Sequence, residues 1–367
     1  MSIRIDPWRG CWGTLLALCW LIAVPASAEP YLAVQTGHAC AACHVNPTGG
    51  GARNRYGAFF GSQNLPVNAG DIASFDDGQL NALLRIGGDL RFNLSETERD
   101  ERDVDRGFNT HSGQVYLTVT PENSPVLLHL DQQVTPGGSR MREAFILARV
   151  GERHYVKAGN LFLPYGLRLQ DDAAFIREAS QVNFQNSEQG VEVGLGFGRS
   201  LINVALTNGT SSASNNDGRF QAVTRAEYVH DGWRVGAGYM LNDAAAGERH
   251  LGNVFGGLRW GDYGLLLEVA RLEDQSVLNE EGEPEVAHVG LLEINWRPAQ
   301  GYNVKFTNEF LDPDTGTADN ERRRHSLVFE YTPIAHLQVL SGFRLVDDRG
   351  IVSGNGHQVF AQLHFYY

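Results

Sequence analysis

From about Ala82 to its end the chain consists of short segments in which apolar and polar residues alternate with period two. They are rich in Val, Leu, Tyr and Phe and are separated by clusters of Gly, Asn, Asp and Pro. A period of two puts one set of side chains on each face of a strand, so the pattern predicts strands rather than helices. Sixteen segments can be marked, at 82–95, 113–121, 125–134, 141–150, 153–161, 188–197, 200–207, 219–229, 232–241, 251–260, 262–272, 285–297, 302–311, 324–333, 335–345 and 356–367. Most are close to the roughly nine to eleven residues that a tilted membrane strand needs.

The connections fall into two classes. Joins from even to odd segments are brief: Pro121 to Ser124, Gly151-Glu152, Gly198-Arg199, His230-Asp231, Gly261, Pro298 to Gly301 and Ile334. Joins from odd to even are mostly long, including Glu96 to Ser112, Phe162 to Ser187, Asn208 to Gly218, Asn242 to His250, Glu273 to Pro284, Asp312 to Arg323 and Val346 to Asn355. An even strand number with short turns at one end and long loops at the other predicts an all-β fold, a porin-like antiparallel transmembrane β-barrel of about sixteen strands. Both ends of the barrel chain then lie on the periplasmic side. A soluble sandwich or propeller would not need two loop classes. In the last segment Val359, Ala361, Leu363, Phe365 and Tyr367 share the face expected to meet lipid, opposite Gln358, Gln362 and His364. Leu161 to Gly166, opening the third long loop, has the look of a constriction loop folding inward.

Arg4 and Arg9 precede an apolar run, Leu15 to Val24, that ends in Ala26-Ser27-Ala28, which predicts a cleaved signal peptide over 1–28 and export. Leu18 is too large for the position before a lipidated Cys19. Cleavage removes Cys11 and Cys19 and leaves only Cys40 and Cys43 of the 4 cysteines, too few for a disulfide framework. No later run approaches the roughly eighteen apolar residues of a spanning helix. The mean hydropathy of -0.27 is compatible with strands that hide an apolar face in alternation. A net charge of -13 argues against nucleic acid as a partner.

Cys40-Ala41-Ala42-Cys43-His44 has the spacing of c-type haem attachment: two thiols three positions apart to join the porphyrin edge, and an adjacent imidazole to bind the iron. A thioredoxin-like pair would need a βαβ scaffold, and a zinc site would need further ligands nearby. The expected organisation is therefore a signal peptide at 1–28, a monohaem cytochrome c segment at 29–80 and a barrel at 81–367. Some forty residues cannot wrap a haem alone, so the segment is expected to plug the periplasmic mouth or the lumen. Asn46-Pro47-Thr48 and Gly49-Gly50-Gly51 read as a turn passing close to the porphyrin, with Arg53 or Arg55 available to a propionate. Met141 and Met240 lie far downstream, which points to a nitrogen at the sixth iron position from His38, His129, His336 or His364. Acidic outer loops, with Glu96, Glu98, Asp100, Glu101, Asp103 and Asp105, then Glu280, Glu281 and Glu283, then Asp312, Asp314 and Asp319, suit solvated surfaces or cations.

With Gln35-Thr36-Gly37 leading into Cys40-Ala41-Ala42-Cys43-His44, the chain resembles the fused outer-membrane cytochrome-porin family, whose best-known members are iron oxidases. The resemblance in architecture spans the whole mature chain; its specific part is about ten residues. It implies covalent attachment of one haem c to Cys40 and Cys43, with His44 as the iron ligand. The continuation Val45 to Gly51 departs from the iron-oxidase pattern, so the resemblance implies electron transfer more directly than Fe(II) oxidation. The expected partners are outer-membrane lipid, a periplasmic c-type cytochrome or other redox carrier, and an extracellular metal or redox substrate. The alternative expectation is a solute-diffusion porin whose haem segment is a structural or regulatory plug.

Overall fold

A computed structural model describes residues 29–367 apart from 73–74, 100–103, 183–185, 213, 280–281 and 349–354. The expected signal peptide, and Asp100, Glu101, Asp103, Glu280 and Glu281 of the acidic loops, lie outside the described residues.

The alternating segments become sixteen strands: β1 Leu84–Arg99, β2 Asp105–Val119, β3 Val126–Thr135, β4 Arg140–Val150, β5 His154–Leu161, β6 Glu188–Phe197, β7 Ser200–Thr207 and β8 Gln221–His230. The second half comprises β9 Trp233–Ala244, β10 Gly247–Trp260, β11 Tyr263–Leu278, β12 Pro284–Trp296, β13 Tyr302–Asp312, β14 Arg322–Tyr331, β15 Leu337–Asp348 and β16 Gly356–Tyr366. Each pairs with its sequence neighbours, and β1 pairs antiparallel with β16 from Asp89↔Tyr366 to Arg99↔Gly356, so the sheet closes and leaves no edge. The long connections are shorter than the sequence suggests, because hydrogen bonding continues past the alternation. Asn242 to His250, for example, is mostly strand, with a tight turn between Ala244 and Gly247.

Alternation decides the two faces. Along β8, Gln221, Val223, Arg225 and Glu227 are buried in the lumen while Ala222, Thr224, Ala226 and Tyr228 point out. The outward side of β16 carries Val359, Leu363 and Phe365, as its pattern predicts. At the short-turn end, outward-facing Trp260, Tyr263 and Trp296 form a row with ring centroids 6.0 and 6.2 Å apart. An apolar band edged by aromatic rings matches the hydrocarbon and interfacial layers of a bilayer.

The lumen is largely filled. Of the connection between β5 and β6, residues 162–182 fold inward and carry a short helix, Phe175–Ser180. Leu163, Tyr165 and Leu167 from this loop pack with Met240, Leu251 and Phe255 of the wall in one buried apolar cluster, which helix Pro30–Thr36 joins through Tyr31, Leu32 and Val34.

Candidate haem site

Helix α1, Pro30–Thr36, begins with a proline where no backbone donor is needed and ends at Gly37 in the left-handed conformation, φ 68°. It lies against β10 and β11 where the wall has no side chains: a Cβ at Gly257 would stand 2.4 Å from Val34 Cγ2, and one at Gly264 would stand 3.6 Å from Tyr31 Cβ. Glu29, just before it, accepts from Lys305 Nζ of β13 at 2.7 Å. The glycine turn is tethered to the opposite wall. Asn46 Nδ2 donates to Glu143 Oε1 at 2.8 Å, Lys157 Nζ to Asn46 Oδ1 at 3.2 Å, and Arg168 Nη2 of the inward loop to Thr48 Oγ1 at 3.2 Å.

Cys40–Ala42 form one 3-10 turn, with the Cys43 and His44 amides donating to the Cys40 carbonyl at 3.1 and 3.0 Å. Asn54 locks this turn from outside. Its Oδ1 accepts from the Gly57 amide at 2.9 Å, capping helix α2, Arg55–Phe59, while its Nδ2 donates to the carbonyls of Ala42 at 3.0 Å and Ala41 at 3.2 Å.

Cys40, Cys43 and His44 line one cavity, whose atom-free space, including its opening, is about 1410 Å³. The residues fit a covalent c-type haem on three observations. Both thiols are free and face the same space, and the Cys43 thiol is pushed up to about 11 by burial and then by Cys40, so it is protonated. The His44 ring is buried, and burial, then Arg53 and Arg168, push its imidazole down to about 4 against the opposing backbone of Gly50 and Ala52, so the ring is neutral as iron ligation requires. Gly49, at φ +93°, keeps the space beside Cys40 clear, since a Cβ there would stand 3.3 Å from its Sγ. Six arginines line the same cavity, Arg53, Arg91, Arg142, Arg168, Arg225 and Arg234, against three carboxylates, Glu29, Asp89 and Asp172. Guanidinium groups are suited to receive carboxylates such as propionates in bidentate fashion.

The structure separates the candidates that sequence left together. Arg53 is on the cavity, stacked 4.1 Å over the Tyr366 ring; Arg55 is not, being 80 % exposed and 3.5 Å from Asp77. Of the histidines other than His44, only His38 lines the cavity among the described residues, its Nε2 3.2 Å from Tyr56 Oη. The expectation that His129, His336 or His364 could reach the haem is corrected. His364 spends Nδ1 on Gln338 at 2.7 Å and Nε2 on Asp89 at 2.6 Å. His129 is packed between Tyr116 and Phe145 with Nδ1 3.0 Å from Thr118 Oγ1, and His336 sits in a turn at φ 71° with Nδ1 3.1 Å from the Tyr366 carbonyl oxygen. In the acidic loops, Glu96 pairs with Arg106 at 2.9 Å, Asp314 accepts from its own turn at Gly316 and Thr317, and no group of three metal-ligating side chains occurs among the described residues.

Sequence reasoning passed over Asn54 and Gly57, although an asparagine before a helix is a capping signal. It also passed over Arg168, Arg225 and Arg234, which nothing local marks. Arg225 and Arg234 are held by one buried carboxylate, Glu227, at 3.2 and 2.6 Å, and Arg234 Nη2 reaches to 4.0 Å from Cys40 Sγ. The inward turn expected at Leu161 to Gly166 is present: the Phe162 amide donates to Glu143 at 3.0 Å and the Leu167 amide to Glu268 at 2.7 Å.

The closed antiparallel sheet of sixteen strands is the arrangement this chain shares with solved porin structures. The fold is that of a porin. The chain superposes on Pseudomonas putida OprB with a TM-score of 0.64 at 11 % identity, over 84 % of this chain and 100 % of that one. It superposes on an anion-selective porin from Comamonas acidovorans at 0.62 and 9 % identity, over 77 % and 99 %. Salmonella typhi OmpF, solved with daunomycin, gives 0.59 at 10 % identity, over 77 % and 97 %. At such identities the likeness is one of fold. No protein-family model and no curated protein matches the chain.

Proposed function

We propose that this chain is a bacterial outer-membrane barrel whose N-terminal segment carries one covalent haem c within the lumen, and that it passes single electrons between a donor or acceptor outside the cell and a periplasmic redox carrier. The observation that carries the reading is the cavity on which Cys40, Cys43 and His44 converge with six arginines. When bound, the haem supplies a one-electron Fe(II)/Fe(III) couple. The chain's own residues do the rest. Cys40 and Cys43 fasten the group, His44 offers a neutral imidazole, Arg53 and Arg168 balance propionate charge, and the surrounding wall limits water. The outward apolar band with its aromatic edge supports the membrane setting, and the short-turn end is read as periplasmic.

The test is haem staining after denaturing electrophoresis. Wild-type protein is expected to stain, a single Cys40→Ala or Cys43→Ala variant to keep at most one thioether, and the double variant to lose the stain. Stain retained in the double variant overturns the haem reading.

A second reading, a solute-diffusion porin in which the segment is a structural or regulatory plug, is favoured by the fold and by a polar cavity of about 1190 Å³, including its opening, on the long-loop side. An impermeant redox reagent on intact cells separates the two. If such a reagent leaves the haem untouched while small sugars cross liposomes bearing the protein, the diffusion reading replaces electron transfer.

A further inference from the structure

Helix α1 points its first residue into the barrel. Its last turn is fixed at the short-turn rim. There Arg259 Nη1 donates to the Gln35 carbonyl at 2.7 Å, Arg297 Nη1 donates to Gln35 Oε1 at 2.7 Å, and a Cβ on Gly37 would stand 3.2 Å from Cα of Asp231 in the β8–β9 turn. The other end is deeper: Glu29 is 6 % exposed and borders both the haem cavity and the polar cavity on the long-loop side. Three neighbouring strands, β12, β13 and β14, present Glu293, Lys305 and Glu330 there, all buried. Lys305 Nζ lies 2.7 Å from Glu29 Oε1 and 2.9 Å from Glu330 Oε1, and Glu330 Oε2 accepts from Asn303 Nδ2 at 3.1 Å and Tyr31 Oη at 3.3 Å. Glu293 takes a neutral donor, Asn295 Nδ2, at 2.7 Å. Glu29 Oε2 is buried without a hydrogen-bond partner. The neighbouring cations are committed elsewhere: Arg91 to Asp89, Arg324 to Asp171 and Glu309, and Arg344 to Asp171.

Three buried carboxylates thus share one lysine, and a buried charge without an opposite partner is costly. We propose that the α-amino group of Glu29, freed when the leader is cleaved after Ala28, is the second cation of this cluster, and that the N-terminal segment seats in the lumen only after that cut. Hydrolysis of the Ala28–Glu29 amide by water leaves a carboxylate on Ala28 and an ammonium on Glu29. A neutral amide nitrogen becomes a cation where the carboxylates gather. Covalent geometry keeps that nitrogen within about 5 Å of the residue's own side-chain carboxylate, which is itself 2.7 Å from Lys305 Nζ. An α-amino group is charged at neutral pH, and neighbouring carboxylates favour that form. Helix α1 has only two turns, so its dipole opposes the ammonium weakly beside full charges. The path of the chain points the same way. Because α1 runs from the interior out to the rim, any chain preceding Glu29 has to continue into the lumen. Cleavage removes the chain that obstructs seating and creates the charge that holds the segment in place.

The inference rests on cleavage after Ala28 and not on the haem. Mass spectrometry of protein isolated from outer membranes reads the cut first, and a chain that begins anywhere but Glu29 overturns the proposal together with the leader reading. From Glu29 onward the chain has only the α-amino group and two buried lysines, Lys157 and Lys305, so reductive methylation by formaldehyde and cyanoborohydride can be assigned amine by amine. In folded wild type the α-amine is expected to react about tenfold slower, or less, than in guanidinium. Glu293→Gln keeps the shape and removes the charge. It is expected to raise the folded-state rate about tenfold, the loss of one hydrogen bond to a charged group, with heat-modifiable migration confirming the barrel. Equal protection in wild type and Glu293→Gln means burial without pairing and overturns the proposal, as does an α-amine that reacts as fast folded as unfolded. Should Glu293→Gln fail to fold, a Gly-Ser-Gly insertion between Ala28 and Glu29 supplies the test, since the same cut then leaves the ammonium three residues too early. That chain is expected to keep its barrel, to expose the α-amine and to be cut faster by protease within residues 30–65. A segment that stays protected there overturns the proposal too.

Discussion

Gly57 lies against the carbonyl of Cys43 so closely that a Cβ on it would stand 2.0 Å from that oxygen. The second cysteine of the attachment motif and the first turn of helix α2 are therefore one packed unit. Gly→Ala inside a helix ordinarily stabilises by about 1 kcal/mol. Here the sign reverses, since Gly57→Ala must push the Cys43 carbonyl away and move the turn that presents both thiols. Reduced haem stain per mole of folded barrel is the expected result, with barrel migration unchanged; undiminished staining refutes it. Asn54→Ala, which removes the cap and the bonds to Ala41 and Ala42, is expected to act in the same direction and cost about 1 kcal/mol locally.

The sixth iron position gives a second prediction. His38→Ala is expected to turn a low-spin absorption and electron paramagnetic resonance spectrum into a high-spin one, because His38 is the one histidine besides His44 that lines the cavity among the described residues. His129→Ala, His336→Ala and His364→Ala are expected to leave the spectrum alone and to lower the thermal midpoint of the barrel. A spin-state change in any of those three, with none in His38→Ala, refutes the assignment.

Glu268 holds the inward loop through the Leu167 amide while accepting from Asn253 Nδ2. Glu268→Ala strands that buried amide, and an unmade buried hydrogen bond costs roughly 1–3 kcal/mol. Faster protease cleavage within residues 162–187 is expected, with barrel strands still protected. Unchanged cleavage kinetics would show that apolar packing alone holds the loop.

Orientation is tested by epitope tags on whole cells. Tags beside Asp314 are expected to bind antibody without lysis, and tags beside Asn123 or Asp262 only after it. The reverse pattern places the long loops inside.

Strand number, face assignment and antiparallel order were legible in the sequence because each depends on local alternation and on the length of the next connection. All sixteen segments reappear, with ends that move where hydrogen bonding outlasts the pattern. The inward loop was legible too, from an apolar run at Leu161 opening a long connection. The motif at Cys40 to His44 was likewise readable as chemistry, since three reactive groups within five residues need no tertiary information to be recognised together.

What only the tertiary structure decided is which distant side chains share the motif's cavity. Period-two parity sends His38's rivals inward as surely as it does Arg225 and Arg234, but parity says nothing of height along the barrel or of the opposite wall. Closure of β1 on β16 sets one of those neighbours, turning His364 to Asp89, while the β15–β16 pairing places Gln338 on its other side. The seat of the inward loop arises in the same way, because it depends on residues more than a hundred positions apart, such as Leu167 and Glu268, meeting across a space that no local pattern encodes.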